Sequence, residues 1–209
     1  LWCHLVYRDR RWLHLLWLPM VVLIAGSLGV PFAEKIALRY DTDWFSWFSE
    51  PNGFVYLTQW SITDWAFLTT DIFLVTLLMR RASGQVKTLA QATLYGTLFG
   101  LLASYILADL LHFVLPTSLQ LWRIHWLLHW LAMTSIPYLL HQQYTDEGKD
   151  RLRSWLLLTT IIVGLSSAGV SAPAVWILIP LYLIWPQVAH KISPTIIRLA
   201  TVSLPLTLG

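Results

Sequence analysis

Six apolar runs, divided by short segments that hold most of the charge, constrain this chain more than any other feature. They lie at about 12–30, 62–79, 88–115, 119–140, 153–170 and 172–190. Several reach the ~20 residues that a helix needs to cross ~30 Å of hydrocarbon. Only 12% of the residues are charged and 56% are hydrophobic, against about 25% charged in an ordinary soluble domain. The expectation is an all-α, polytopic integral membrane protein. Residues 1–209 form a single transmembrane domain, a bundle of about six helices in a cell (inner or plasma) membrane, with the lipid bilayer as its first partner.

Placement of Lys and Arg sets the expected orientation. Arg8, Arg10 and Arg11 precede the first run, Arg80, Arg81 and Lys87 follow the second, and Lys149, Arg151 and Arg153 divide the fourth from the fifth. Lys191 ends the sixth. These clusters fall on one side when six spans alternate, which makes both termini cytoplasmic and places loop 31–61 outside. The net charge of +3 reflects this topological bias. No basic stripe interleaved with aromatics exists, so nucleic acid is not an expected partner.

The outer loop is acidic and aromatic. Trp44, Trp47 and Phe48 follow i, i+3, i+4 spacing and predict one apolar face of a short interfacial helix. The 13 tryptophans are assigned mainly to interfacial anchoring and helix packing. Leu115–Ser118 predicts a tight turn between the third and fourth spans, and Ser171-Ala172-Pro173 another between the fifth and sixth. Gly96 and Gly100, extended by Ala92 and Ser104, form a small-residue row suited to close helix packing. Cys3 is the lone cysteine; it excludes an intrachain disulfide and any site built from several thiolates. No cleavable signal peptide is evident, and the tail 193–209 is too short to complete a seventh span.

Ionisable groups inside apolar spans are expensive and are candidate functional groups. Asp64 and Asp71 lie on the second span, Asp109 and His112 on the third, and Arg123, His125 and His129 on the fourth. Asp109 and His112 share a helix face at i, i+3, and so do His125 and His129 at i, i+4. A tight turn between the third and fourth spans would bring His112 and His125 to similar depth. Imidazoles and a carboxylate converging from adjacent helices are what a metal needs. Asp109, His112, His125 and His129 are therefore the expected ligands of zinc, copper or iron, and His112, His125 and His129 could instead hold haem b. Asp64 or Asp71 would carry protons, and Arg123 would be a charge partner. Asp71 also admits a protonated state, bonded to neighbouring threonines and raised in pKa by desolvation. His4, His14, His141 and His190 read as interfacial.

Trp65-Ala66-Phe67-Leu68 running to Arg80-Arg81, and Leu131-Ala132-Met133-Thr134-Ser135, resemble segments of six-helix ferric-reductase-like haem proteins. The resemblance covers a small part of the chain. The mid-helix histidines of that family have no clear match, so it assigns no family. HExxH, GxSxG, P-loop and GxGxxG motifs are all missing from the sequence.

The leading functional expectation is redox or metal-assisted chemistry on a lipophilic substrate at this Asp/His cluster. Two alternatives stand beside it. One is a non-catalytic, Trp-rich subunit of a larger electron-transport membrane complex of respiratory or photosynthetic type, packed against other membrane subunits. The other is a small transporter coupled through Asp71.

Overall fold

The computed structural model describes residues 9–11, 14, 17–31, 33–36, 38–146, 151–166 and 172–189. Cys3, His4, His190, Lys191 and the tail 193–209 lie outside them. Among the described residues the fold is all-α, with one isolated β-bridge between Arg39 and Phe113. The helices are α1 (Trp17–Ser27), α2 (Ala33–Ile36), α3 (Thr42–Ser49), α4 (Ile62–Arg81), α5 (Gly84–Ser104), α6 (Val114–Leu119), α7 (His125–Asp146), α8 (Arg151–Leu165) and α9 (Val175–Val188). A π-helical segment, Tyr105–Leu110, continues α5.

The six-span bundle is not what forms. Among the described residues, two helical stretches are long and apolar enough to cross a membrane, Ile62–Arg81 and Gly84–Leu110, of 20 and 27 residues. The core helix of a water-soluble protein meets the same criterion, so two such stretches do not carry a membrane assignment. The first expected span yields the 11-residue α1, the fifth the 15-residue α8 and the sixth the 14-residue α9. At ~1.5 Å per residue the described helices of these three runs reach roughly 16–22 Å, short of a ~30 Å hydrocarbon layer. The fourth becomes the 22-residue α7, long enough but not among the sufficiently apolar helices; His125, His129, His141, Gln142 and Gln143 lie along it. The physical reason is that hydropathy counts apolar residues without showing where a helix starts or whether it is continuous. The corrections extend to what depended on six spans: the multi-pass membrane location, the cytoplasmic termini, and the bilayer and membrane-subunit partners.

The described chain forms two compact units. The first comprises the described residues up to Trp60 together with Tyr95–His125. Here α1 packs on α2, α2 on α6, and α6 on the π-helical segment. The expected turn at 115–118 is instead part of α6, and Thr117 is buried within it. The expected outer loop is partly core, with Val55, Tyr56 and Leu57 all buried. Helix α3 forms where the aromatic spacing predicts a short helix, capped by Asp41 Oδ1 accepting from the Trp44 amide at 2.7 Å. Of the small-residue row, Gly100 makes a close approach: a Cβ there would sit 2.7 Å from the Ile124 side chain. Gly96 has open space in front of it.

The second unit comprises Ser61–Leu94 and the described residues from Trp126 onward. Helix α4 is its axis. Ser61 and Asp64 start it as a capping box, the Ser61 hydroxyl accepting from the Asp64 amide while Asp64 Oδ2 accepts from the Ser61 amide at 2.8 Å. Helices α8 and α9 pack on α4 and on each other. Ala66 and Val175, both fully buried, centre an apolar cluster with Val163 and Ile179.

Candidate functional site

Three consecutive residues of α4 face three different helices of the second unit. Successive helical residues diverge by ~100°, so this is what a central helix must do. Thr69 Oγ1 accepts from the indole N–H of Trp176 on α9 at 3.2 Å. Thr70 faces Gly164 on α8, where an added Cβ would overlap the threonine side chain. Asp71 faces His129 on α7, with its two carboxylate oxygens 3.1 and 3.0 Å from Nδ1.

The pair is asymmetric in exposure. The Asp71 side chain is 2% exposed and that of His129 is 43% exposed. An ionised carboxylate can only accept, so beside it Nδ1 is the donor and the lone pair of a neutral ring sits on Nε2. Among the described residues, nothing but Asp71 hydrogen-bonds to this ring. Burial raises the Asp71 carboxyl and the charge and hydrogen bond of His129 oppose the rise, which leaves it at about 6 against an ordinary 3.8.

A second polar cluster closes the far end of α4. Arg81 Nη2 donates to Gln143 Oε1 and, at 2.9 Å, to the Tyr182 hydroxyl. Its Nη1 reaches the Leu139 carbonyl at 3.3 Å. Tyr182 in turn donates to Gln143 Oε1 at 2.8 Å, and the Arg153 guanidinium lies 4.7 Å from the centre of its ring. Gln143 and Tyr182 are buried. Sequence reading takes Arg81 as a topological marker and does not single out Gln143 or Tyr182; a basic residue ending an apolar helix, with a lone amide on another helix, is the signal available.

The remaining candidates are placed elsewhere. Asp64 serves the α4 cap. In the first unit, Asp109 Oδ1 accepts from both the amide and the hydroxyl of Thr58 at 2.8 Å, while Oδ2 is buried with no hydrogen-bond partner. Tyr56 is fully buried nearby. Burial pushes its phenol up to about 12, Thr117 opposes the rise, and Tyr40 and Asp109 add to it. His112 ends the π-helical segment at φ 53°, a left-handed conformation open to few non-glycine residues. Its carbonyl accepts from Tyr40 N–H at 2.9 Å, and its ring stacks on Phe45 with centroids 3.8 Å apart. His125 Nδ1 lies 2.7 Å from the Trp122 carbonyl, and its ring stacks on the Trp122 indole. The exposed Arg123 holds its guanidinium 5.6 Å from the Trp122 ring centre.

The metal or haem site expected from Asp109, His112, His125 and His129 is therefore corrected. Each is held by a different partner, and among the described residues no three His, Cys, Asp or Glu side chains converge as metal ligands. Redox or metal-assisted chemistry at that cluster loses its geometric basis. The electron-transport subunit and the Asp71 transporter lose theirs with the six-span bundle. His14 and His141 are exposed.

Compared with known proteins, the chain matches no family model, no curated protein sequence and no solved structure.

Proposed function

We propose that the second unit carries a proton-transfer site in which His129 acts as general base and acid and Asp71 positions and polarises its ring. The observation that carries this reading is the contact of both Asp71 oxygens with Nδ1, at 3.1 and 3.0 Å, beneath a ring that is 43% exposed. A buried carboxylate on Nδ1 fixes the tautomer, stabilises the imidazolium and leaves Nε2 as the nitrogen that meets a substrate. Trp126, three residues earlier on α7, shares the His129 face and is 47% exposed. It offers an apolar wall to the body of a substrate whose proton moves at Nε2. The site supplies proton transfer, and this reading assigns it no nucleophile.

Nitrogen-15 NMR of the full chain, with diethyl pyrocarbonate labelling, tests the proposal. The neutral His129 ring is expected as the Nδ1–H tautomer, and Nε2 should react several-fold faster than in Asp71→Asn. A neutral ring carrying its proton on Nε2, or labelling unaffected by the substitution, would overturn it.

A further inference from the structure

An open surface depression of about 720 Å³ in the first unit is lined by Trp44, Trp47, Phe48, Glu50, Pro51 and Asn52. Its size falls in the range of small-molecule sites. Two of its aromatic rings are fixed from behind by the buried Tyr40. Trp44 meets Tyr40 edge-on with centroids 4.5 Å apart, and Phe48 stacks on it at 5.3 Å. Asn52 is anchored by its side-chain amide, which donates to the Phe48 carbonyl at 2.9 Å. Trp47 is different: it is 84% exposed. Its indole face is therefore open to a ligand seated at this depression.

Charge identifies the occupant. Residues 41–52 contain Asp41, Asp43 and Glu50 and no Lys, Arg or His, in a chain whose formal net charge is +3. Asp41 is committed to the α3 cap. Glu50 lines the depression itself. Indole and phenyl faces attract cations through their quadrupoles, tryptophan most strongly, and a nearby carboxylate adds a direct Coulomb attraction. A neutral apolar ligand would gain nothing from Glu50, and an anion would be repelled by it. We infer that this depression binds a small organic cation, an alkylammonium or quaternary ammonium compound free in solution, seated against Trp44, Trp47 and Phe48 with Glu50 as its counter-charge. The inference is independent of the His129–Asp71 site.

Isothermal titration of the full chain with choline, and with its uncharged carbon isostere dimethylbutanol, tests it. Choline should bind saturably and dimethylbutanol should not. Trp47→Ala should weaken choline binding by about tenfold and Glu50→Gln by roughly fivefold, in line with cation–π and partly screened charge contributions. Both side chains are exposed, so the variants should keep wild-type circular dichroism. Equal binding of the isostere, no saturable binding of choline, or affinity unchanged in both variants would overturn the inference. So would binding to phosphatidylcholine vesicles where free choline does not bind.

Discussion

Asp71 and His129 are 58 residues apart in sequence, and the imidazole of one lies 3.0 Å from a carboxylate oxygen of the other. The contact couples a buried acid to a ring that reaches solvent.

That coupling predicts a pH dependence of stability. The folded Asp71 carboxyl holds its proton up to about pH 6, whereas the unfolded one releases it near 3.8. The stabilisation from this group is therefore fully present below the unfolded value and is lost as pH rises through about 6. The net rise of roughly two pKa units, which already includes the opposing effect of His129, corresponds to at most ~3 kcal/mol. Urea unfolding between pH 4 and 7 should show wild type losing stability with rising pH over this window. Asp71→Asn should flatten that slope, because the amide does not titrate. Parallel slopes would show that Asp71 does not take up the proton.

The Arg81 cluster should resist conservative replacement. A guanidinium reaches the Leu139 carbonyl, Gln143 and Tyr182 from two nitrogens at once. A lysine ammonium is a point charge without that fork. Arg81→Lys should lose about 1–2 kcal/mol, and Arg81→Met about 2–4 kcal/mol, since Gln143 and Tyr182 are then buried with fewer partners. Tyr182→Phe should cost less, near 1 kcal/mol. Denaturation midpoints for the three variants check the order; a methionine variant as stable as wild type would contradict it.

Asp109 should matter to the first unit as an acceptor. Thr58 sends both its amide and its hydroxyl to Oδ1. Asp109→Ala removes both bonds and should destabilise by about 2–3 kcal/mol, whereas Asp109→Asn keeps one carbonyl oxygen and should lose less. Hydrogen exchange at the Thr58 amide is the local readout. It should accelerate strongly in the alanine variant and weakly in the asparagine variant.

Much of the secondary structure is legible in the sequence, and the partnerships are not. The apolar runs locate α4, α5, α7, α8 and α9, because burying a helix requires such runs whether lipid or protein covers them. The same runs do not reveal that α1 spans 11 residues or that the expected turn at 115–118 is helical. Asp71 stands out as an ionisable residue inside an apolar helix, and His129 as one of several histidines. Spacing on one helix pairs His129 with His125, but the structure pairs it with Asp71, since α4 and α7 meet across 58 residues and no local pattern encodes that. The Thr58–Asp109 contact, 51 residues apart, is hidden for the same reason. His112 reads as a ligand by residue type, whereas backbone geometry makes it the residue that ends the π-helical segment.

Gly164 sets the distance between α8 and α4 immediately beside the acid–base pair. Adding a methyl group there brings two opposing effects. Alanine favours a helix over glycine by roughly 1 kcal/mol. The new Cβ would, however, overlap the side chain of Thr70, which is fully buried and donates its hydroxyl to the Ala66 carbonyl at 2.8 Å. A β-branched side chain has few rotamers to escape into, and overpacking a core site costs about 1–3 kcal/mol. Overlap should win, so Gly164→Ala should destabilise. Because Thr70 precedes Asp71, the shift should also alter the His129 ring resonances. Thr70→Ala removes the atoms in the way. The double variant should then recover stability relative to Gly164→Ala alone, a coupling expected only for residues in contact. Additive losses in the double-mutant cycle would show that α8 and α4 do not meet at this point.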